Sequence, residues 1–232
     1  MARRASTTGA SAAGPAPETG ERPQSRVDRR KASTRGALVA AARQFLAEGG
    51  RTDVSIQEIT DRADVGFGSF YNHFSSKTEL FDAAVAATLE YHGQLLDSLT
   101  ADIEDPAEVF AVSVRHTGRL PRSHPVLAQI LLNTGLPHLM EDAGLAPRVL
   151  RDIHRATESG RFSVRNPAVA LVATGGALLG LLKLIDSAPD IDVDEVADEL
   201  AVGILCLLGL PRDEAIELCA RPLPPLPPAA SG

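Results

Sequence analysis

Within ten positions, "GSFYNHFSSK" at residues 68–77 sets Gly68, Ser69, Asn72, His73 and Lys77 among aromatic rings. An amide and an imidazole offer the donors and acceptors that read base edges, and an ammonium suits a phosphate. Glycine and serine are small enough to allow close approach. The rings are the other half of the pattern. The chain has seven Phe, two Tyr and no Trp, and five of these nine, Phe67, Phe70, Tyr71, Phe74 and Phe81, fall within fifteen positions.

Elsewhere, reactive patterns are sparse. There is no G-x-S-x-G, HExxH or P-loop, and "GFGSFY" shares only the first two glycines of G-x-G-x-x-G, so no enzyme and no cofactor are expected. His116, His124, His138 and His154 lack the i, i+4 or short Cys/His spacing of a metal site, so no metal is expected. Cys206 and Cys219 read as reduced thiols of an intracellular protein. His116, Asn133, Thr134, His138 and Thr174 are polar residues set among apolar ones. They suit the orienting of a ligand in an apolar cavity, and suit equally the plainer role of satisfied core or surface groups. Few aromatics lie nearby (Tyr91, Phe110 and Phe162), which disfavours stacking on a planar ligand.

The elements that must position residues 68–77 read as helices. Leu38, Ala42, Phe45 and Leu46 recur at i, i+4, i+7 and i+8, one apolar face that Gly49–Gly50 ends. Ser55 with Glu58, and Ser76 with Glu79, have capping-box spacing. The second box opens a helix of about six turns. Between the boxes, at about 100° per residue, Phe67, Phe70, Tyr71 and Phe74 share one sector, and Gly68, Ser69, Asn72 and His73 point the other way. A short helix, a turn holding Gly66 and a second short helix make a helix-turn-helix, whose second helix enters the major groove of duplex DNA. The aromatic stripe then faces inward with Tyr71 at its edge, the polar face meets bases, and Lys77 reaches a phosphate.

Beyond residue 100 the pattern stays helical. Pro106 opens a segment that Pro121 ends, and Pro125 opens another that "NTGLP" interrupts at 133–137. A segment over about 141–159 stops at Gly160, and two long apolar helices occupy about 167–187 and 192–208. No alternating strand pattern appears, so the fold is all-α.

The stretch "SIQEITDRADVGFGSFYNHFSSKTELF" resembles the DNA-binding domain of the tetracycline-repressor (TetR/AcrR) family of bacterial transcription regulators. The matching elements are the apolar first helix ending at Phe45 and Gly49–Gly50, the Ile56/Ile59/Ala63 pattern, Gly68–Ser69, Phe70–Tyr71–x–His73–Phe74 and Ser76–Lys77–x–Glu79–Leu80. The resemblance implies an N-terminal three-helix helix-turn-helix domain plus a larger helical ligand-binding and dimerisation domain, about nine helices. It places Ser69, Tyr71, Asn72 and Lys77 at base or phosphate contacts, Ser55 at a phosphate, and Phe70 and Phe74 in the core. Where the family usually has Gly before Val65 this chain has Asp64, and Gly66 lacks the usual hydroxyl cap. Phe67 replaces a commonly polar residue; it either packs inward or touches a thymine methyl, and partial burial is expected.

Charge follows the same division. Residues 1–80 hold 12 Lys/Arg against 9 Asp/Glu, and residues 81–232 hold 11 against 21, so a mildly basic head sits on an acidic body. The expected division is a disordered arm at 1–26, the helix-turn-helix domain at 27–81, the helical domain at 82–211 and a Pro-rich tail at 212–232. The arm either adds salt-sensitive phosphate contacts or stays solvated. "RPLPPLP" at 221–227 fits an SH3-ligand pattern, but a spacer is the expected role. The apolar run 168–182, at fifteen residues, falls short of the roughly 20 that span a bilayer, so no membrane is expected. Its helix is apolar nearly all round, with Gly176 and Gly180 on one face, and a second run follows at 200–210. A partner's matching pair would cover them, with Gly176, Leu179, Gly180, Lys183, Val202 and Leu205 at the interface. The implied protein is a dimeric cytoplasmic regulator, nucleoid-associated on a near-palindromic duplex operator, that an unknown small-molecule effector releases. The alternative is a partner-controlled or architectural DNA binder without an inducer.

Overall fold

A computed structural model of the chain describes residues 26–135 and 144–226. They form eleven helices and no strand: α1 (Arg26–Ala47), α2 (Ile56–Arg62), α3 (Phe67–Phe70), α4 (Lys77–Leu99), α5 (Pro106–Gly118), α6 (Leu120–Ser123), α7 (Pro125–Thr134), α8 (Leu145–Glu158), α9 (Pro167–Ser187), α10 (Val193–Leu207) and α11 (Arg212–Ala220). The all-α expectation holds. Local chemistry sets the boundaries. Gly49 and Gly50 take φ of 89° and 72° and stop α1, and prolines sit in the first turns of α5, α6, α7 and α9, where a missing N–H does no harm.

Two boundaries differ from the sequence reading. Pro121 does not end α5; that helix stops at Gly118, and Pro121 opens α6. Where a tail from residue 212 was expected, "RDEAIELCA" folds as α11 and buries Ala215, Leu218 and Cys219, so extended chain begins only at Arg221. The apolar run is part of a 21-residue helix, α9, which by length and composition alone is long enough to cross a membrane. One side of α9 is interior: Ala170, Leu171, Thr174, Leu181, Leu182 and Ile185 are buried in the chain's own core.

Two cores carry the fold. The first joins Leu38, Phe45 and Leu46 of α1 to Ile59, Phe70 and Phe74, then runs through Leu80, Phe81 and Leu89 of α4 to Leu120, Ile130, Leu131 and Leu182. The second packs α5, α8, α9, α10 and α11 around Phe110, Ile153, Leu205 and Leu208. The expected boundary at 81/82 therefore falls inside α4, whose side chains belong to head and body alike.

A candidate DNA-reading face and a ligand cavity

The reading turn is shorter than a full helix. Ser69 N–H bonds the Gly66 carbonyl (2.8 Å), and His73 and Phe74 N–H both bond the Phe70 carbonyl (3.0 Å), so α3 runs into a turn after one α-helical turn. Gly66 supplies no side-chain cap, as its lack of a hydroxyl implied. Asp64, where the family's glycine was expected, has φ of 52°, and Asp is one of the few L-residues that enter this region readily.

This geometry splits the aromatic stripe. Phe70 and Phe74 are fully buried, as expected, but Phe67 is 48% and Tyr71 58% exposed. Phe67 and Tyr71, four residues apart, occupy one edge of the shared sector and Phe70 and Phe74 the other, and only the second edge meets the core. Phe67 and Tyr71 meet edge to face at 6.1 Å between centroids, and Tyr71 rests on Phe70 at 5.3 Å. They form a projecting aromatic pair, flanked by exposed Gly68 and Asn72. Ser69 and His73 are half-buried, less open than the outward face predicted for them. Burial holds His73 below the ordinary imidazole pKa, and the charges of Lys31 and Arg35 push the same way.

Two residues 22 positions apart come together beside this face. Ser55 caps α2 with a complete capping box: its hydroxyl accepts from Glu58 N–H (3.1 Å), and its own N–H and hydroxyl donate to Glu58 Oε2 (2.8 Å each). Lys77 Nζ donates to the carbonyl of Val54, the preceding residue, at 2.7 Å. The ammonium is thus tethered at the α2 N-terminus with two N–H groups to spare. Ser76 caps α4, but the expected box is only half formed, because Glu79 turns its carboxylate to the N–H and hydroxyl of Ser75 (2.7 Å each).

A cavity of about 110 Å³ lies between α4, α5, α7, α8 and α9. Its wall is mostly aliphatic, with Phe110 its one aromatic side chain among the described residues. Thr117 and Thr174 add hydroxyls; Asp97, Arg148 and Asp152 add charge. The charged groups form a chain. Arg148 is bidentate to Glu90 (2.8 Å) and bonds Asp97 (2.9 Å), whose other oxygen accepts from Arg151 (2.8 Å), which in turn bonds Asp152 (2.9 Å). These arginines hold Asp97 below the usual carboxylate range despite its partial burial. Deeper in, Thr117 gives its one proton to the Ser113 carbonyl (2.8 Å), so His92 Nε2 must donate to Thr117 Oγ1 (3.0 Å), and His92 Nδ1 is left without a partner. The Thr174 hydroxyl is likewise buried and unpartnered.

Of the four described pocket residues expected from sequence, only Thr174 lines this cavity. His116 is buried on α5 with the Pro224 backbone beside it. Asn133 Nδ2 instead donates to the Leu46 carbonyl at the end of α1 (3.0 Å), and Thr134 turns back on its own helix. His138 lies outside the described residues. Asp97, Arg148 and Asp152 were missed; Arg and Asp in predicted helices read as solvated faces until two helices bring them together.

The outer side of α9 and α10 is apolar and open. Val169 (62% exposed), Val172, Leu184 and Leu207 (62%) stand out from it, around exposed Gly176, Gly180, Lys183 and Gly203. Two members of the expected interface face elsewhere. Leu205 is wholly buried in its own core, and half-buried Leu179 lines the cavity. Val202 is half-buried at the edge.

The sequence model "Bacterial regulatory proteins, tetR family" matches residues 38–84, and "Tetracyclin repressor-like, C-terminal domain" matches residues 105–221, half of the chain. The probable acrEF/envCD operon repressor of Escherichia coli (strain K12) is 25% identical over 166 residues, covering 65% of this chain and 74% of that repressor. The crystal structure of RolR with its ligand resorcinol is 33% identical, covers 86% of this chain and 99% of RolR, and superposes with a TM-score of 0.68. RolR without ligand gives 32%, coverage of 83% and 100%, and 0.67.

Proposed function

The chain belongs to the tetracycline-repressor family of bacterial transcription regulators, and from that premise we propose that it is a homodimeric cytoplasmic repressor whose hold on a near-palindromic operator is released by a small hydroxylated ring. The observation that carries this reading is α4. It begins at Lys77, beside the reading turn, and its far half, from Leu89 to Asp97, walls the cavity. A ligand that shifts α4 shifts the distance between half-sites, and it releases DNA only by binding that state more tightly.

Size and polarity support the ligand class. An apolar cavity of about 150 Å³ holds benzene, so a space of this order suits one ring better than a long acyl chain. Asp97 and Asp152 are placed to accept from a phenolic O–H and Arg148 to donate to its oxygen, while the aliphatic walls enclose the ring edge without stacking. RolR, whose crystal structure holds resorcinol, matches over nearly its whole length at 33% identity.

On the DNA side, Phe67, Gly68, Tyr71 and Asn72 present the reading surface, with Ser69 and His73 behind it. Lys77, tethered beside Ser55, takes a phosphate. The α9–α10 face pairs with its copy through Gly176, Gly180, Lys183, Val202 and the exposed Gly203 and Leu207. A Cβ added at Gly176, Gly180 or Gly203 would meet nothing within 4 Å, so those glycines leave the surface flat for a second helix.

The test is calorimetry with resorcinol, phenol and a fatty acyl-CoA, paired with fluorescence anisotropy on duplexes selected from random sequence. Resorcinol is expected to bind and release the duplex. Asp152→Asn is expected to lose resorcinol and keep DNA, whereas Leu207→Asp is expected to sediment as a monomer and lose DNA. A protein that binds its duplex but responds to no hydroxylated ring is controlled in another way, by a partner.

A further inference from the structure

Helix α1 begins about three turns before its first buried residue, Leu38. From Arg26 to Ser33 every residue is exposed, and the family match starts only at residue 38. This projection carries Arg26, Arg29, Arg30, Lys31 and Arg35 against Asp28. Its cations are not evenly spread. Lys31, Arg35, Leu38, Ala42 and Phe45 follow one another at steps of four, three, four and three, so they share one side of the helix. The side that is core below Leu38 is therefore basic above it.

That basic side overlooks the reading turn. The Arg35 guanidinium carbon sits 5.0 Å from the centroid of the Phe74 ring, and the neighbouring His73 senses the charge of both Arg35 and Lys31. Among the described residues neither cation makes an ion pair, although the body of the protein pairs most of its arginines. Two exposed cations on one helical side, next to groups set to enter a groove and with only the Glu79 charge acting on Arg35 among the described residues, complement a polyanion that flanks that groove.

We propose that the projecting part of α1 is a second DNA-contacting element, in which Lys31 and Arg35 take backbone phosphates at the edge of the half-site that the reading turn enters. This inference rests on the DNA-binding reading above. The contacts add affinity and fix the docking angle, and they carry no sequence information.

Salt dependence separates this element from the reading turn. Each neutralised phosphate contributes about −0.9 to the slope of log affinity against log salt, so two contacts in each of two subunits contribute about −3.6. Binding of the selected duplex and of an unrelated duplex would be followed by anisotropy across a range of KCl concentrations. Lys31→Ala with Arg35→Ala is expected to flatten the slope by 3 to 4 and weaken both duplexes by the same factor, with the melting temperature held. Tyr71→Ala is expected to do the reverse, lowering the preference for the selected duplex at a nearly unchanged slope. If the double variant keeps the wild-type slope, or loses preference instead, the proposal is wrong while the DNA reading stands. If the wild type shows no selective duplex at all, both fall.

Discussion

At the scale of single residues, the reading turn shows how one aromatic stripe divides between core and surface. Phe70 and Phe74 anchor it from below, and Phe67 and Tyr71 stand outside, braced edge to face. Phe67 is thus half-exposed rather than core, in keeping with the partial burial expected of it. His73 sits beside Lys31 and Arg35, the two cations proposed above to take backbone phosphates. In the free protein, burial first and then Lys31 and Arg35 keep it largely neutral at pH 7. A bound phosphate favours the imidazolium and raises that pKa, so binding takes up a proton and tightens as pH falls. Operator affinity is expected to rise several-fold from pH 7.5 to pH 6 in wild type and less in His73→Gln. Equal slopes in the two proteins would remove His73 from the contact.

At the scale of elements, starts and stops were legible because their causes are local: a glycine pair, a proline, a hydroxyl with a glutamate three residues on. The two long apolar helices match to within a residue or two for the same reason. Packing across helices was not legible. The polar edge of the cavity joins Asp97 to Arg148 and Arg151 across more than fifty residues, and no spacing rule spans that gap. Gly93 shows what the sequence concealed. It looks like a weak point inside α4, yet a Cβ there would lie 2.7–2.8 Å from Cδ, Cζ and Nε of Arg148. Gly93 is the slot across which that guanidinium lies between Glu90 and Asp97. Alanine would displace Arg148, while improving helix propensity by about 1 kcal/mol. Gly93→Ala is therefore expected to weaken resorcinol binding at least ten-fold with little change in melting temperature and intact DNA binding. Unchanged ligand affinity by calorimetry would show that Arg148 is only structural.

At the scale of the whole molecule, the fold buries histidines that cannot charge without loss. His92, beside the cavity, is depressed to about 3 by burial and by the nearby His124 and His116. His116, under the C-terminal segment, is depressed to about 4 by burial and by Arg119 and Arg115. Both lie below the ordinary value of 6.5, which the unfolded chain recovers. Their contribution is therefore complete above pH 6.5 and is lost as pH falls toward the folded values. At pH 5 each group has forfeited about 2 kcal/mol. The carboxylates held below their usual range, among them Asp97 and Asp105 beside arginines, lose their contribution in the same direction but only at lower pH, so at pH 5 they still contribute almost in full. The window from pH 6.5 to 5 consequently reports histidine alone. Urea unfolding at pH 7.5 and pH 5 is expected to differ by about 4 kcal/mol or more, a large share of a typical domain's stability. His116→Gln, less stable at neutral pH, is expected to reduce that difference by about 2 kcal/mol, because one of the buried protonation sites is gone. A wild type equally stable at both values would mean that both imidazoles reach solvent, and that the α4–α5 core opens more readily than its burial implies.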